Sequence, residues 1–261
     1  MRRLVIALLV LVGLLVAADF GSAALAESAV SRQMRQQIGL ADDPSVRING
    51  FPFLTQAASG HYSSIDVDAQ HIAVGKFRDV ELTAHLSDVT APLSMLLGSG
   101  PKNVQVARAE GTAKISANDL ERLVPGVTKV RIESVDKKAL TQLVQKGGDA
   151  SLADLDPDRT ARLVGTVTAL GQPIEVAVVA TLELAGSKAK IVPQDVRLSD
   201  GTALPIPAVA QRAILGLFAI PLDVGALPLT VTPTTFRAQD GDLVISGTAS
   251  GLKLGGAATA G

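Results

Sequence analysis

Ile48-Asn49-Gly50-Phe51-Pro52-Phe53-Leu54-Thr55-Gln56 separates two kinds of sequence. Upstream lie an apolar run and an amphipathic helix. Downstream, almost every segment alternates. Two of the chain's 6 Phe flank Pro52 in this stretch. Pro52 has no N–H to give a strand ladder, so a strand reaching Asn49 ends here or runs along an edge. The stretch reads as an apolar corner between a helical N-terminus and a β-rich body.

Working upstream, Ala23 to Ile38 carries Ala23, Ala26, Val30, Met34 and Ile38 on one side of a helix. Glu27, Ser31, Arg32, Arg35 and Gln36 supply its polar faces, and Gly39 is a natural stop. Before it, Met1-Arg2-Arg3 is a short basic segment and Leu4 to Ala18 is apolar up to Asp19. That layout is a secretory signal or an uncleaved anchor, and the residues leave removal and retention open. Val16-Ala17-Ala18 and Ala24-Leu25-Ala26 both offer small residues for cleavage. With Arg2 and Arg3 held in the cytoplasm, the body is expected outside the plasma membrane. We expect export to the periplasmic or extracytoplasmic face, with residues 1–22 as signal or anchor.

Downstream, Ser45 to Asn49 is a short strand with Val46 and Ile48 on one face and Arg47 on the other. Ile65, Val67 and Ala69 alternate with Asp66, Asp68 and Gln70, and the phase slips by one at His71-Ile72-Ala73-Val74. Gly75-Lys76 turns the chain into a second alternating strand, with Val80, Leu82, Ala84 and Leu86 opposite Glu81, Thr83, His85 and Ser87. Ala91 to Gly100 is an apolar loop or helical turn, folded on the core or inserted in a membrane. Val104 to Ile115 is a strand, Ser116 caps a short helix with Asp119 at its third position, and Val127 to Val135 is again strand. Lys137 to Asp158 reads as an irregular connection or short hairpin. Three strands follow over Arg162–Ala169, Ile174–Leu184 and Lys188–Leu198. Ile206 to Phe218 is a helix, with Pro205 and Pro207 near its start and Ala210, Ile214, Leu217 and Phe218 on its apolar face. Leu229–Arg237 and Asp242–Ala249 close a hairpin through Gln239-Asp240-Gly241.

No strand–helix–strand rhythm appears, so the class is α+β with an antiparallel sheet. Strands of this length make a long, twisted, curved sheet that wraps a helix or curls toward a barrel. Residues 23–254 are expected to form one domain, and residues 255–261 a frayed tail.

The totals narrow the chemistry. Hydrophobic residues make up 47% and charged residues 19%, and with aromatics at 3% the apolar content is aliphatic. A net charge of −1 gives no nucleic-acid footprint. Zero Cys excludes disulfides, thiol catalysis, thiolate zinc sites and a Cys-linked lipid anchor. No nucleophile elbow, phosphate loop or dinucleotide fingerprint is present. His61, His71 and His85 are the 3 His; His61 and His85 are the first choices for a base, and polar strand faces are the competing reading. No catalytic residue is assigned, and no metal or cofactor is expected.

The Gly50-Phe51-Pro52-Phe53-Leu54 corner, after an apolar strand residue and before the polar pair Thr55-Gln56, resembles the actinobacterial LmeA-like phospholipid-binding family. The N-terminal helix, the alternating strands after Gly60, and the closing Leu227-Pro228-Leu229 segment with its Gly-containing hairpin are similar in arrangement. The resemblance implies a fold like tubular lipid-binding (BPI-like) domains, a long curved sheet around a helix with an apolar groove. It also implies an envelope protein that binds phospholipids, phosphoinositides included, with a part in lipoglycan assembly. Phospholipase activity is attributed to one branch.

The expected function is phospholipid binding in the cell envelope, with acyl chains held in an apolar groove for lipid carriage or lipoglycan assembly. The partners are phospholipid and the membrane surface. A lipid-acting hydrolase with a non-standard site is the alternative, and a structural envelope module the second. Lipid-contact candidates are Phe51, Phe53, Leu54, Ile214, Leu217 and Phe218; headgroup candidates are Arg47, Lys76 and Arg78. For the corner residues, filling one end of the interior competes with direct lipid contact. For the three cations, scattered surface charge competes with headgroup binding.

Overall fold

The computed structural model describes residues 2–74, 76–92, 94, 104–169, 171–185, 188–222 and 232–254. Helix α1 (Arg2–Ile38) is continuous through the apolar run and the amphipathic segment. It stops at Gly39, whose φ of 72° lets Gly39 N and Leu40 N both turn back to Arg35 O. β1 (Ser45–Asn49) leads through the corner into a short helix, α2 (Phe53–Ser59). Then come β2 (His61–Val74), β3 (Phe77–Thr90) and β4 (Val104–Ile115). Helix α3 (Ala117–Leu123), β5 (Val127–Glu133) and helix α4 (Lys137–Gln145) follow, with two 3-10 turns over Ala150–Asp154 and Pro157–Arg159. The chain continues with β6 (Thr160–Ala169), β7 (Gln172–Ala185), β8 (Lys188–Leu198), helix α5 (Ala208–Leu217) and β9 (Ile220–Leu222). It closes with β10 (Thr232–Gln239) and β11 (Asp242–Leu254).

The class is α+β with curved antiparallel sheets, one curled into a half-barrel. The strands divide between a six-stranded sheet ordered β1-β2-β3-β4-β11-β10 and a five-stranded sheet ordered β5-β6-β7-β8-β9. The phase slip expected in β2 is present: burial passes from Ala69 to Ile72, and His71 between them has φ 54°. Asp88 in β3 does the same at φ 52°, before buried Val89. An extra residue of this kind bends a strand and increases its twist. Asp240 and Gly241, both at positive φ, form the two-residue turn between Gln239 and Asp242.

By contacts the chain forms two compact units. The first comprises residues 1–70, 82–111 and 249–261, and the second residues 71–81 and 112–248. In the first, Ala26 of α1 is buried with Val46 and Ile48 of β1, Phe53 and Ala57 of α2, and Tyr62, Ile65 and Val67 of β2. Ala23, Val30 and Met34 pack against the same core, as expected of this face, but Ile38 at its end is exposed and Ser31, expected on a polar face, is buried. β1 pairs antiparallel with β2, Val46 opposite Val67 and Ile48 opposite Ile65, so the apolar sides of both strands point inward together. β1 is an edge strand. α1 blunts that edge: Ile48 N donates to Glu27 Oε1 at 2.7 Å, and Ser31 Oγ donates to Pro44 O at 2.6 Å.

In the second unit, β6 pairs along its whole length with β7, from Thr160 opposite Thr181 to Ala169 opposite Gln172. Lys137–Asp158, expected as an irregular connection or hairpin, is instead mostly helical. Asp136 caps α4 by accepting from Ala139 N at 2.6 Å, and Leu140 is fully buried with Val135, Leu152 and Val179. The apolar positions Leu140, Leu143 and Val144 are spaced for one helical face, which the surrounding Lys and Gln obscure. α3 forms as expected, with Ser116 Oγ accepting from Asp119 N at 3.2 Å. Most of Ala91–Gly100 and the start of the last hairpin, residues 229–231, lie outside the described residues.

Candidate functional site

The corner after β1 is built by one long-range contact. Pro52 occupies the N-cap position of α2 but has no side chain able to receive the helix's free N–H groups. Asp19, 34 residues away on α1, performs that task. Its Oδ2 accepts from Phe53 N and its Oδ1 from Leu54 N, each at 2.8 Å. Asp19 is only 4% exposed. It lies at the head of the face that continues through Ala23, Ala26, Val30 and Met34, so the helix delivers its carboxylate to α2 by the same periodicity that packs the core.

The three apolar corner residues diverge. Phe53 points inward and meets the ring of Tyr62, with centroids 6.4 Å apart. Phe51 is 63% exposed and Leu54 45%. Phe51 stacks on Phe20 of α1 at a centroid distance of 6.1 Å and an interplanar angle of 25°. The Phe51–Pro52 peptide is cis. Gly50, with φ 106°, lets the chain leave β1 where a Cβ would meet the Gln56 side chain at 2.7 Å. Gln56 Oε1 in turn accepts from Ser63 N at 2.9 Å, tying α2 to the first residues of β2.

Tyr62 is fully buried in the same core. Among the described residues its hydroxyl has no hydrogen-bond partner, nor has the Gln56 amide nitrogen. Burial pushes the Tyr62 phenol above its ordinary pKa. Of the cations expected to meet a headgroup, Arg47 is exposed on β1 in the first unit; Lys76 and Arg78 are exposed in the second. In the second unit Ile214 and Phe218 are buried on α5 and its C-cap, while Leu217 between them is 37% exposed.

The outer face of β1–β3 carries a polar group. His85 Nδ1 donates to Asp66 Oδ1 at 2.5 Å, Asn49 Nδ2 donates to Asp66 Oδ2 at 2.7 Å, and Asn49 also reaches Ser64 Oγ at 3.2 Å. His61 Nδ1 pairs with Thr90 Oγ1 at 3.0 Å. Among the described residues no group of three or more His, Asp or Glu side chains is placed to hold a metal ion.

Sequence reasoning took Asp19 for the end of an apolar run and passed over Tyr62. The missed signal was positional: Asp19 falls on the buried stripe of the helix that follows it, where an unpaired carboxylate would be costly.

No curated protein and no solved structure matches the chain significantly. The LmeA family profile, described as LmeA-like phospholipid-binding, matches residues 17–248, from just before Asp19 through the corner, both sheets and most of β11. With nine-tenths of its length inside that match, the chain belongs to the LmeA-like phospholipid-binding family.

Proposed function

We propose that this protein is a phospholipid-binding module of the cell envelope, working on the extracytoplasmic side of the plasma membrane and holding acyl chains in an apolar groove. Lipid carriage, or delivery of lipid for lipoglycan assembly, is the use that follows. The observation that carries this reading is the phospholipid-binding family match over residues 17–248. The inner faces of β1 and β2, aliphatic at Val46, Ile48, Ile65 and Val67 with Tyr62 at one end, suit acyl chains. Residues 1–22 act as signal or anchor, residues 23–254 as the binding domain, and residues 255–261 as a tail. Phe51 and Leu54 in the first unit and Leu217 in the second are exposed and available to lipid. Phe53, Ile214 and Phe218 back them from the core. Arg47, Lys76 and Arg78 are the headgroup candidates.

The test is native mass spectrometry of the full chain released from membranes in a mild detergent. Phospholipid masses retained on the protein are expected. Bare protein throughout, under conditions that preserve lipid on a control lipid carrier, would overturn the reading.

One observation favours a second reading, a lipid-acting hydrolase: Asp66 orients His85 as an acidic partner orients a general base. That version requires fatty-acid release from phospholipid vesicles that His85→Ala abolishes. Full release by the variant removes it.

A further inference from the structure

Two of the 6 Phe of this chain are exposed, and they are stacked on each other. The other four, Phe53, Phe77, Phe218 and Phe236, are buried. Phe20 lies on α1 and Phe51 two residues before α2, the two helices that Asp19 joins. Leu54, next to Phe53 and itself bound to Asp19 through its backbone N–H, is exposed as well. In water this is an unfavourable place for scarce aromatics.

Its position on α1 supplies a reason. Leu4, Leu8, Leu11 and Leu15 are all more than half exposed, so the apolar segment has no protein to bury it. The helix is long and apolar enough to cross a membrane. From Arg3 to Phe20 is 17 residues, or about 26 Å at 1.5 Å per residue. The hydrocarbon core of a bilayer is about 30 Å thick. With Arg3 at the cytoplasmic headgroups, Phe20 reaches the opposite boundary, where aromatic rings are favoured. A carboxylate at that depth is costly when it faces lipid. Asp19 faces α2 instead, with both oxygens satisfied by backbone N–H groups.

We propose that α1 remains attached as a membrane span, and that Phe20, Phe51 and Leu54 form a patch seated in the headgroup boundary of the outer leaflet. Asp19 is the latch that fixes this patch to the span. Cleavage after Ala26 would remove the latch and two residues of the core face, Ala23 and Ala26, which the packing of the first unit uses. The occupant is the phospholipid bilayer that the apolar half of α1 enters; continuity of that helix with the patch selects it over a protein partner. The inference rests on the extracytoplasmic placement proposed above and adds which surface meets the lipid.

The chain has 0 Cys, so single labels can be introduced without disturbing native thiols. Phe51→Cys, Leu54→Cys and Gln36→Cys, each carrying an environment-sensitive fluorophore, are compared in the full chain. The protein is reconstituted in phosphatidylcholine and phosphatidylglycerol vesicles containing spin-labelled lipid. Gln36 is exposed on α1, 16 residues beyond Phe20 and so about 24 Å further along the axis. Labels at 51 and 54 are expected to be quenched several-fold more by shallow spin-labelled lipid than the label at 36, and to be shielded from aqueous iodide. Equal lipid quenching at all three positions, with free access to iodide, overturns the patch. Adding Asp19→Ala to Phe51→Cys should abolish the difference from position 36, while Asp19→Asn, which keeps an acceptor, should retain most of it. Unchanged quenching with Asp19→Ala overturns the latch. The intact mass of protein expressed with its own N-terminus is expected to include Leu4–Ala18, and a mature chain starting at Asp19 or later overturns the span. Loss of bound phospholipid in native mass spectrometry with this quenching pattern intact overturns carriage alone.

Discussion

His85 and Asp66 face each other across adjacent strands, Nδ1 2.5 Å from Oδ1, on the exposed side of the first unit's sheet. The hydrogen bond from His85, seconded by that from Asn49, holds the Asp66 carboxyl below the usual carboxylate range. Folding therefore favours the ionised form. The stabilisation is complete above the unfolded value of about 4 and is lost as pH falls through the lowered folded value. Half-exposed partners make the contribution small. We predict that thermal stability of Asp66→Asn falls less steeply than wild type between pH 4 and pH 2 and that the two curves converge at the acid end. Parallel curves across that range would show that the pair does not couple to folding.

Tyr62 presents the opposite case. It is a buried phenol in an aliphatic core, with no partner for its hydroxyl among the described residues. A buried polar group left unpaired costs about 1–3 kcal/mol. Tyr62→Phe removes the hydroxyl and keeps the ring beside Phe53, so we predict equal or greater stability, by up to about 1–2 kcal/mol. Burial also raises the phenol's pKa, so the unfolded chain ionises first. Stability should then decline in wild type as pH rises above about 10, and the variant should lose that alkaline limb. Chemical denaturation at pH 7 and pH 10.5 measures both. A loss of stability at pH 7 would mean that the hydroxyl has a partner, water or lipid, in the working protein.

Asp119 explains why a short helix sits where it does. Buried at the third position of α3, it accepts from Arg78 N at 3.0 Å and Asp79 N at 2.9 Å at the start of β3, and from Arg122 at 2.5 Å. Removing it orphans two backbone donors and unpairs an arginine. We predict that Asp119→Ala costs about 2–4 kcal/mol, and that Asp119→Asn, with one acceptor oxygen left, costs less. Denaturant midpoints of the two variants rank the effect. Equal losses would mean that the negative charge matters more here than the hydrogen bonds to the two backbone donors.

How much of this was legible depended on how local the cause was. β1, β4 and β8 were read to the residue, because alternation and flanking turns lie inside each segment. The bend at His71 was visible as a slip of phase. α4 was missed because Lys137, Lys138, Gln142 and Gln145 mask three apolar positions, although Asp136 stood ready as a cap. α2 was illegible for a stronger reason: seven residues cannot display a helical period, and its cap comes from Asp19, far away in sequence. The division into two sheets was likewise hidden, since β4 pairs with β11 across most of the second unit's sequence. At the site, the corner motif was recognised, yet the split between inward Phe53 and outward Phe51 required the partners Tyr62 and Phe20.

The two carboxylates of α1 should prove separable by hydrogen exchange. Asp19 holds Phe53 N and Leu54 N, and Glu27, two turns on, holds Ile48 N at the edge of the sheet. Each bond satisfies a backbone donor that has no partner in its own element, the first turn of α2 or the outer side of β1. An N-cap replaced by Ala typically costs about 1 kcal/mol, and Asp19 serves two donors from a buried position, so Asp19→Ala should reach about 1–2 kcal/mol. We predict that this variant accelerates exchange at Phe53 and Leu54 and leaves Ile48 protected, while Glu27→Ala does the reverse. Both variants keep the apolar stripe of Ala23, Ala26, Val30 and Met34, so α1 should stay docked in each. Should Asp19→Ala instead free Ile48 as well, the carboxylate would be holding the whole helix against the sheet rather than capping α2, and the corner would depend on docking more than on its own hydrogen bonds.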